Sequence, residues 1–208
     1  MDLMNALEWR YAVRKFSDEV LSEMEVAALL DVTRLSASSY GLQPYRLLVV
    51  ESPDIRRELV AHSYGQEKVA ACSHLIVFAV QTNIGDALVD EYVRMLAKAR
   101  GVSSESLQAM AGHIKEALAA KSPEENLQWA HQQAHIALGN LLTSAAMMGI
   151  DTCPMGGFDA AGYDRVLGLA KENLTASVIC PIGRRDAGDE AAAAPKVRRD
   201  YEEIVMVR

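Results

Sequence analysis

The stretch SPEENLQWAHQQAHIALGNLLTSAAMMGIDTCPMGGFD, residues Ser122–Asp159, decides the predicted fold. It opens on Ser122-Pro-Glu-Glu125, a capping box with proline at the first helical position, and no further proline occurs before Met148. These features predict a helix over 123–148, which at 1.5 Å per residue is roughly 39 Å long. Because its second half is apolar on nearly every side, we expect it to be buried in the core or in a subunit interface.

Two apolar segments have the length and composition of strands. HLIVFAV (74–80) and LTASVICPIG (174–183) are nearly continuous in apolar character, which is typical of strands buried on both faces. The region 86–120 is helix-rich and is the least determined part of the chain. Few strands and much helix predict an α+β or α/β fold, and 208 residues suit a single domain over 1–208.

The composition excludes several classes of partner. The net charge is −7, so neither nucleic acid nor an anionic membrane is an expected partner, because both select for basic surfaces. No apolar run approaches the ~20 residues that span a bilayer. The N-terminus lacks a signal-peptide pattern, so we expect a cytoplasmic protein. Three scattered cysteines without a CxxC pair argue against a disulfide framework or a zinc knuckle.

Sequence signatures of several common enzyme classes are missing. There is no GxGxxG after a strand, no GxxxxGK[ST] and no GxSxG. His131 and His135 have a metal-ligand spacing, but no third ligand follows, so we predict two surface histidines and no metal. Cys153 is predicted to be buried and inert, since no nearby group in sequence lowers its pKa.

Basic and small residues in four separated segments suggest one ligand. Arg10 and Arg14 are four residues apart and could grip a phosphate, and Lys196 and Arg198 supply a second cationic pair. Small residues that allow close approach to a ligand lie in two further segments: Ser38, Ser39 and Gly41, and Pro154, Met155, Gly156 and Gly157. Together they predict a site for a flat, phosphorylated molecule.

Five segments, in order, resemble one known family. These are WRYAVRKF (9–16), SASSYGLQPYRLLVV (36–50), GQEKV before SHLIVF, GNLLTSAAMMGIDTCPMGGFD (139–159) and PKVRRDYEEIV near the end. They are similar to the arginine box, the serine and Gln-Pro loop, a polar loop, the central helix with its flavin-edge turn, and the C-terminal arm of the nitroreductase family of FMN enzymes. The resemblance runs over essentially the whole chain.

The resemblance implies a fold, a cofactor and an activity. It implies a three-layer fold with a central mixed sheet flanked by helices, and a homodimer with an exchanged C-terminal arm and FMN bound between the subunits. The implied reaction passes hydride from NADH or NADPH through flavin N5 to an electron-poor small molecule, such as a nitroaromatic or a quinone, with no catalytic side chain. Two alternatives stay open: a flavin, pteridine or enoate-type reductase on the same scaffold, or a non-catalytic flavin-binding protein.

The resemblance also implies roles for individual residues. The residues implied at the phosphate are Arg10, Lys196 and Arg198, and those at the pyrimidine end of the flavin are Arg14, Gln66 and Lys68. The residues implied to reach across from the other subunit are Ser38, Ser39 and Gln43. Gly157 is implied to offer a backbone N–H to N5, with Pro154, Met155 and Gly156 beside it.

Three cofactor-site positions depart from the family pattern. Ala12 stands where a phosphate-binding serine is usual, so one hydrogen bond is missing at the phosphate. Gly41 replaces an asparagine, and Gly156 replaces a glutamate found in several relatives. The last change removes a side chain near the substrate face, so substrate preference does not carry over directly.

Overall fold

The computed structural model describes residues 1–208. The strands are β1 (Tyr45–Val50), β2 (His74–Gln81), β3 (Asp151–Thr152) and β4 (Leu174–Gly183). The helices are α1 (Leu3–Trp9), α2 (Glu23–Arg34), α3 (Pro53–Ala61), α4 (Lys68–Ala71), α5 (Asp86–Arg100), α6 (Gln108–Ala119), α7 (Pro123–Met147), α8 (Ala160–Leu167) and α9 (Tyr201–Ile204). This is an α+β fold, as predicted. No helix combines the length and the apolar character needed to cross a bilayer.

The four strands form one sheet in the order β1-β2-β4-β3, and all three neighbouring pairs are antiparallel. The prediction of a mixed sheet is therefore wrong for these strands. Their apolar character reflects burial on both faces, and burial alone does not fix strand direction. One parallel bridge does occur, between Ala12 and Thr152 at the β3 edge.

Helices cover both faces of the sheet, which confirms the three-layer arrangement. Alternate residues of β2 point to opposite sides, so that Ile76 and Phe78 pack with α2 and α7, while Leu75 and Val77 face the layer that contains α3 and α8. All four side chains are fully buried. A third, smaller apolar cluster joins α5 to α6.

Helix α7 is the predicted long central helix. Ser122 and Glu125 form the predicted capping box, in which Glu125 accepts the Ser122 backbone N–H at 2.7 Å and Ser122 Oγ accepts that of Glu125 at 3.2 Å. The chain leaves the helix through Gly149, whose φ of +70° suits glycine. Alanines along one side of α7 are buried, whereas Ile136 on another side is 50% exposed.

The C-terminal segment contains a short helix. Tyr201–Ile204 makes one helical turn. Glu202 and Glu203 lie in that turn, where negative charge interacts favourably with the N-terminal end of a helix.

Gly101 and Gly112 form a matched pair for testing backbone preferences, because a Cβ at either position meets no atom within 4 Å. Gly101 has a left-handed φ of +65°, whereas Gly112 lies inside α6. We expect Gly101→Ala to lower the free energy of unfolding by about 1–2 kcal/mol, and Gly112→Ala to raise it by about 0.5–1 kcal/mol. Urea denaturation measures both changes, and shifts of the same sign would contradict the backbone argument.

Candidate functional site

The two basic clusters from opposite ends of the sequence meet around one cavity. This cavity has a volume of about 490 Å³ and lies between the segment that follows α1 and the segment before α9. Five sequence-predicted site residues line it: Arg10, Ala12, Arg14, Lys196 and Arg198. Residues separated by more than 180 positions in the chain thus contribute to the same wall.

The cations at this cavity are not neutralised by the protein. None of Arg10, Arg14, Lys196 and Arg198 forms an ion pair with a carboxylate. Burial and the charge of Arg198 lower the pKa of Arg10, and the buried Nε of Arg10 has no hydrogen-bond partner. Concentrated positive charge with an unsatisfied N–H donor fits an anion such as a phosphate monoester.

Lys196 joins the C-terminal arm (residues 195–208) to the N-terminal segment. Its ammonium group donates hydrogen bonds to the backbone carbonyls of Leu7 and Arg10. Burial, followed by the charges of Arg10 and Arg198, lowers the pKa of Lys196. The lysine therefore fixes the arm in place as well as adding charge to the cavity.

Asp189 fixes the backbone of the basic N-terminal segment. Its Oδ2 accepts the backbone N–H groups of Arg14 at 2.8 Å and Lys15 at 3.1 Å, and the Tyr11 hydroxyl at 3.1 Å. Asp189 is only 5% exposed. Burial opposes its charged form, but these hydrogen bonds outweigh burial and hold the pKa of Asp189 below its usual value. Burial and the bond to Asp189 raise the pKa of Tyr11 to about 12, so the phenol stays a donor.

Arg185 holds the same segment from its other side. Its guanidinium donates to the buried carboxylate of Asp151 from Nε at 2.8 Å and from Nη2 at 2.6 Å. The same group lies 4.0 Å from the ring centroid of Trp9 and 4.6 Å from that of Tyr11, within the range of cation–π contacts. The two rings flank Arg10 in sequence, so this stack fixes the backbone that carries Arg10.

No sequence pattern predicted roles for Asp189, Arg185 or Asp151. Asp189 lies in DAGDEAAAA (186–194), whose acidic and small residues are typical of a solvated linker. Its partners are about 175 residues away, and no local pattern reports such a pair. Asp189 was detectable only as an acidic residue close in sequence to a cationic arm.

The glycine turn lies beside the N-terminal segment. Ala12 pairs with Thr152, and the Val13 N–H donates to the Thr152 carbonyl at 3.2 Å. The chain then passes through the buried Cys153, as predicted for that residue, into residues 154–157, the segment predicted as the glycine turn. This segment runs beside β4, where Met155 forms an antiparallel bridge with Ile179. Pro154 is half-buried, Met155 is buried, and Gly156 and Gly157 are exposed.

The polar loop reaches this turn. Gln66 Nε2 donates to the Gly157 carbonyl at 3.4 Å and to the Ser63 carbonyl at 3.0 Å. Lys68 begins α4 two residues later and is half-buried. The structure therefore brings together Gln66 and Gly157, which the resemblance implies at the same flavin ring.

The loop 38–43 lies apart from the cationic cavity, and none of its residues lines that cavity. Ser39 donates its backbone N–H to Gln133 Oε1 on α7 at 2.8 Å, and Gln43 Nε2 donates to the Arg34 carbonyl at 2.8 Å. Tyr40 and Gln43 have φ of 56° and 43°, which is uncommon for residues other than glycine and occurs at binding sites. The predicted roles of Ser38, Ser39, Gly41 and Gln43 involve a partner subunit and stay predictions.

Gly41 cannot be replaced without moving a neighbour. Its φ is +77°, and a Cβ there would lie 2.8 Å from the hydroxyl of Tyr92 on α5.

The two histidines of α7 form hydrogen bonds with other groups of the protein. His131 Nδ1 lies 2.7 Å from Ser177 Oγ, and His135 Nδ1 lies 2.7 Å from the His131 carbonyl.

Comparison with known proteins gives a family match and close relatives. The model of the Nitroreductase family matches residues 7–184. A Staphylococcus saprophyticus protein whose name assigns it to the NAD(P)H nitroreductases is 31% identical over 214 residues, which cover 98% of this chain and 95% of that protein. A Staphylococcus haemolyticus protein with the same designation is 29% identical, with 98% and 95% covered.

Solved structures share the fold at lower identity. A Bacillus subtilis structure described as a nitroreductase superimposes with a TM-score of 0.88 at 19% identity, covering 99% of this chain and 98% of that one. An Exiguobacterium sibiricum structure, described as a nitroreductase in complex with FMN, gives a TM-score of 0.85 at 20% identity, covering 100% and 98%. At these identities the structures establish the common fold.

Asp189→Asn tests whether this carboxylate fixes the basic segment. We expect it to lower the free energy of unfolding by about 1–3 kcal/mol at neutral pH, because N–H donors in a buried setting lose a charged acceptor. The folded-state pKa of Asp189 is depressed, so this stabilisation exists above the unfolded pKa of about 4 and is lost as pH falls through the folded pKa. Urea titrations at several pH values should show the two proteins converging in acid.

Asp186→Asn is the control for Asp189→Asn. Asp186 pairs with Lys15 at 3.0 Å, but both side chains are solvent-accessible, so we expect little change in stability. Equal losses in the two variants would show that Asp189 has no special role.

Proposed function

Because this chain belongs to the nitroreductase family, we propose that it is an FMN-dependent oxidoreductase that passes electrons from NADH or NADPH to an electron-poor small molecule. The observation that carries the proposal is the cluster of unneutralised cations around Arg10, whose buried Nε has no partner. The relatives named as NAD(P)H nitroreductases and the FMN-bound fold neighbour support this choice of cofactor and reductant.

The cationic cavity suits the phosphate of FMN. That phosphate carries close to two negative charges, and burying part of it requires paired charge. Arg10 and Arg198 would donate charge-assisted hydrogen bonds, while Lys196 adds charge and holds the arm to the carbonyls of Leu7 and Arg10. Ala12 offers no hydroxyl, so the arginines carry a larger share of the binding.

The glycine turn and the polar loop suit the isoalloxazine ring. Bound FMN would supply hydride exchange at its N5 atom. The exposed Gly157 would offer its backbone N–H there, and Gln66, already bonded to Gly157, would contact the ring edge. Lys68 and Arg14 would stabilise negative charge at the pyrimidine end, since fixed cations favour the reduced, anionic ring. Gly156 leaves open space beside the turn for an acceptor such as a nitroaromatic or a quinone.

We further propose that the protein is a homodimer with exchanged C-terminal arms. The arm exposes Tyr201 at 70%, Ile204 at 65% and Val207 at 91%, and exposed apolar surface of this extent is typical of an interface. The outer edge of β1 has no strand beside it. A cavity of about 500 Å³ next to β1 is lined by apolar residues that include Leu30, Tyr45 and Leu47. A partner's arm would cover this surface, and the partner's loop 38–43 would complete the flavin site.

Reduction of the bound cofactor tests the proposed activity. The purified protein should absorb near the ~450 nm maximum of an oxidised flavin. Adding NADH or NADPH in the absence of oxygen should reduce the flavin and abolish this band. A panel of nitroaromatic, quinone, enone and free-flavin acceptors then identifies the acceptor class by reoxidation. A protein that binds FMN but stays oxidised for minutes with both nucleotides is a flavin carrier and not a reductase.

Arg10→Ala tests the phosphate site. Loss of one charge-assisted hydrogen bond costs about 1.5–3 kcal/mol, so we expect FMN affinity to fall roughly ten- to a hundredfold. Riboflavin lacks the phosphate and should bind wild type and variant equally weakly. Flavin fluorescence titrations at fixed ionic strength measure both ligands, with Arg57→Ala on the exposed face of α3 as the control. Unchanged FMN affinity would remove Arg10 from the site.

Deletion of residues 195–208 tests the arm. We expect the truncated protein to lose FMN, because Lys196 and Arg198 go with the arm, and to lose its dimer contacts. Gel filtration with light scattering and absorbance detection reports mass and bound flavin together. A truncated protein that elutes yellow and dimeric would show that the arm serves neither purpose.

A further inference from the structure

The loop that carries Gln66 and Lys68 has a backbone that needs external support. After α3 ends, Tyr64 and Gly65 both adopt left-handed conformations, with φ of 53° and 73°. A left-handed tyrosine is strained, and such strain persists only where surrounding contacts fix the conformation. The Tyr64 side chain is 73% exposed, so its own packing does not provide that support.

The support comes from the start of α8, through His62. The Asp159 backbone N–H donates to the His62 carbonyl at 2.8 Å, and His62 Nδ1 lies 3.1 Å from Asp159 Oδ2. A hydrogen bond from the backbone of Gly162, followed by that from His62, lowers the pKa of Asp159 despite partial burial. The carboxylate is therefore an acceptor at neutral pH, and His62 Nδ1 is the donor.

Gly162 is required for this pairing. The imidazole of His62 lies so close to α8 that a Cβ at position 162 would overlap its Nδ1 atom, and would also come within 2.6 Å of Asp159 Oδ2. Glycine inside a helix destabilises it by about 0.5–1 kcal/mol relative to alanine. Its presence in the eight-residue helix α8 is explained by the space that the ring occupies.

A second contact joins the neighbouring residue Ser63 to α8. The hydroxyls of Ser63 and Tyr163 lie 2.7 Å apart, and both residues are fully buried. On the other side, Gln66 bonds to the Gly157 carbonyl, two residues before Asp159. Ser63 and Gln66 are thus joined to opposite ends of the segment 157–163.

We infer that His62 and Asp159 are positioning residues for the cofactor ring: they hold the loop that carries Gln66 and Lys68 against the turn that carries Gly157. The inference rests on the proposed function, in which these two segments contact the same flavin. Neither residue touches the ring in this scheme. Their effect is to set the separation between the cation at Lys68 and the N–H at Gly157, both of which influence how readily the ring accepts electrons.

The test compares His62→Ala with His62→Asn, in the full-length protein with bound flavin. Asparagine can still donate an N–H to Asp159, whereas alanine cannot. We expect His62→Ala to weaken riboflavin binding about two- to tenfold, the effect of one hydrogen bond, and to shift the midpoint potential of bound FMN. For His62→Asn, the riboflavin affinity and the midpoint potential should both lie closer to the wild-type values. The ratio of FMN to riboflavin affinity should stay constant, because the phosphate site is separate.

Gly162→Ala provides an independent variant that keeps both partners but forces them apart. It should shift the potential like His62→Ala, and amide hydrogen exchange over 62–68 in the cofactor-free protein should accelerate in both. Asp54→Asn on the exposed face of α3 is the control for a lost surface carboxylate. If wild type binds flavin while all variants keep its potential and riboflavin affinity, the inference is wrong. If wild type binds no flavin, the proposed function itself fails.

Discussion

Close packing of helix α7 on the sheet determines where the site segments lie. The side of α7 that faces β2 and β4 carries alanines, including Ala130, Ala134 and Ala137, all fully buried. Small side chains let the helix approach the strands, and Phe78 and other large residues of the sheet fill the space between. A larger residue at any of these positions would force the helix outward, since a close-packed core does not absorb added volume.

Two segments of the proposed flavin site depend on this helix. At its C-terminal end, Gly149 turns the chain into β3, whose pairing with β4 sets the position of the glycine turn. Near its middle, Gln133 accepts the backbone N–H of Ser39 and so holds the strained loop 38–43. Segments distant in sequence therefore have fixed relative positions because they are attached to one rigid element.

Local patterns in the sequence predicted the elements, and distant contacts decided what the sequence could not predict. The capping box at Ser122 and the apolar run 74–80 act within a few residues, so the helix and the strand followed directly. Strand direction did not follow, because helices cover both faces of an antiparallel sheet here and produce the pattern expected of a parallel one. The cationic residues at the cavity were predictable as charges, but Asp189 and Arg185, which hold them, act across about 30 to 175 positions.

The cationic cavity also connects cofactor binding to the order of the arm. After burial, the charge of Arg198 lowers the pKa of Arg10, and the charges of Arg10 and Arg198 lower that of Lys196, which means that these positive charges repel at this distance. The only direct bonds that oppose this repulsion from the arm side are those from Lys196 to two backbone carbonyls. A bound dianion would replace this net repulsion by net attraction, since each cation then faces an opposite charge. Anything that binds only the ordered arm stabilises that arrangement by mass action. In the proposed dimer, cofactor, arm and partner would therefore stabilise one another. The ring end, held by the hydrogen bonds of Gln66 to Gly157 and of His62 to Asp159, would stay formed without the phosphate.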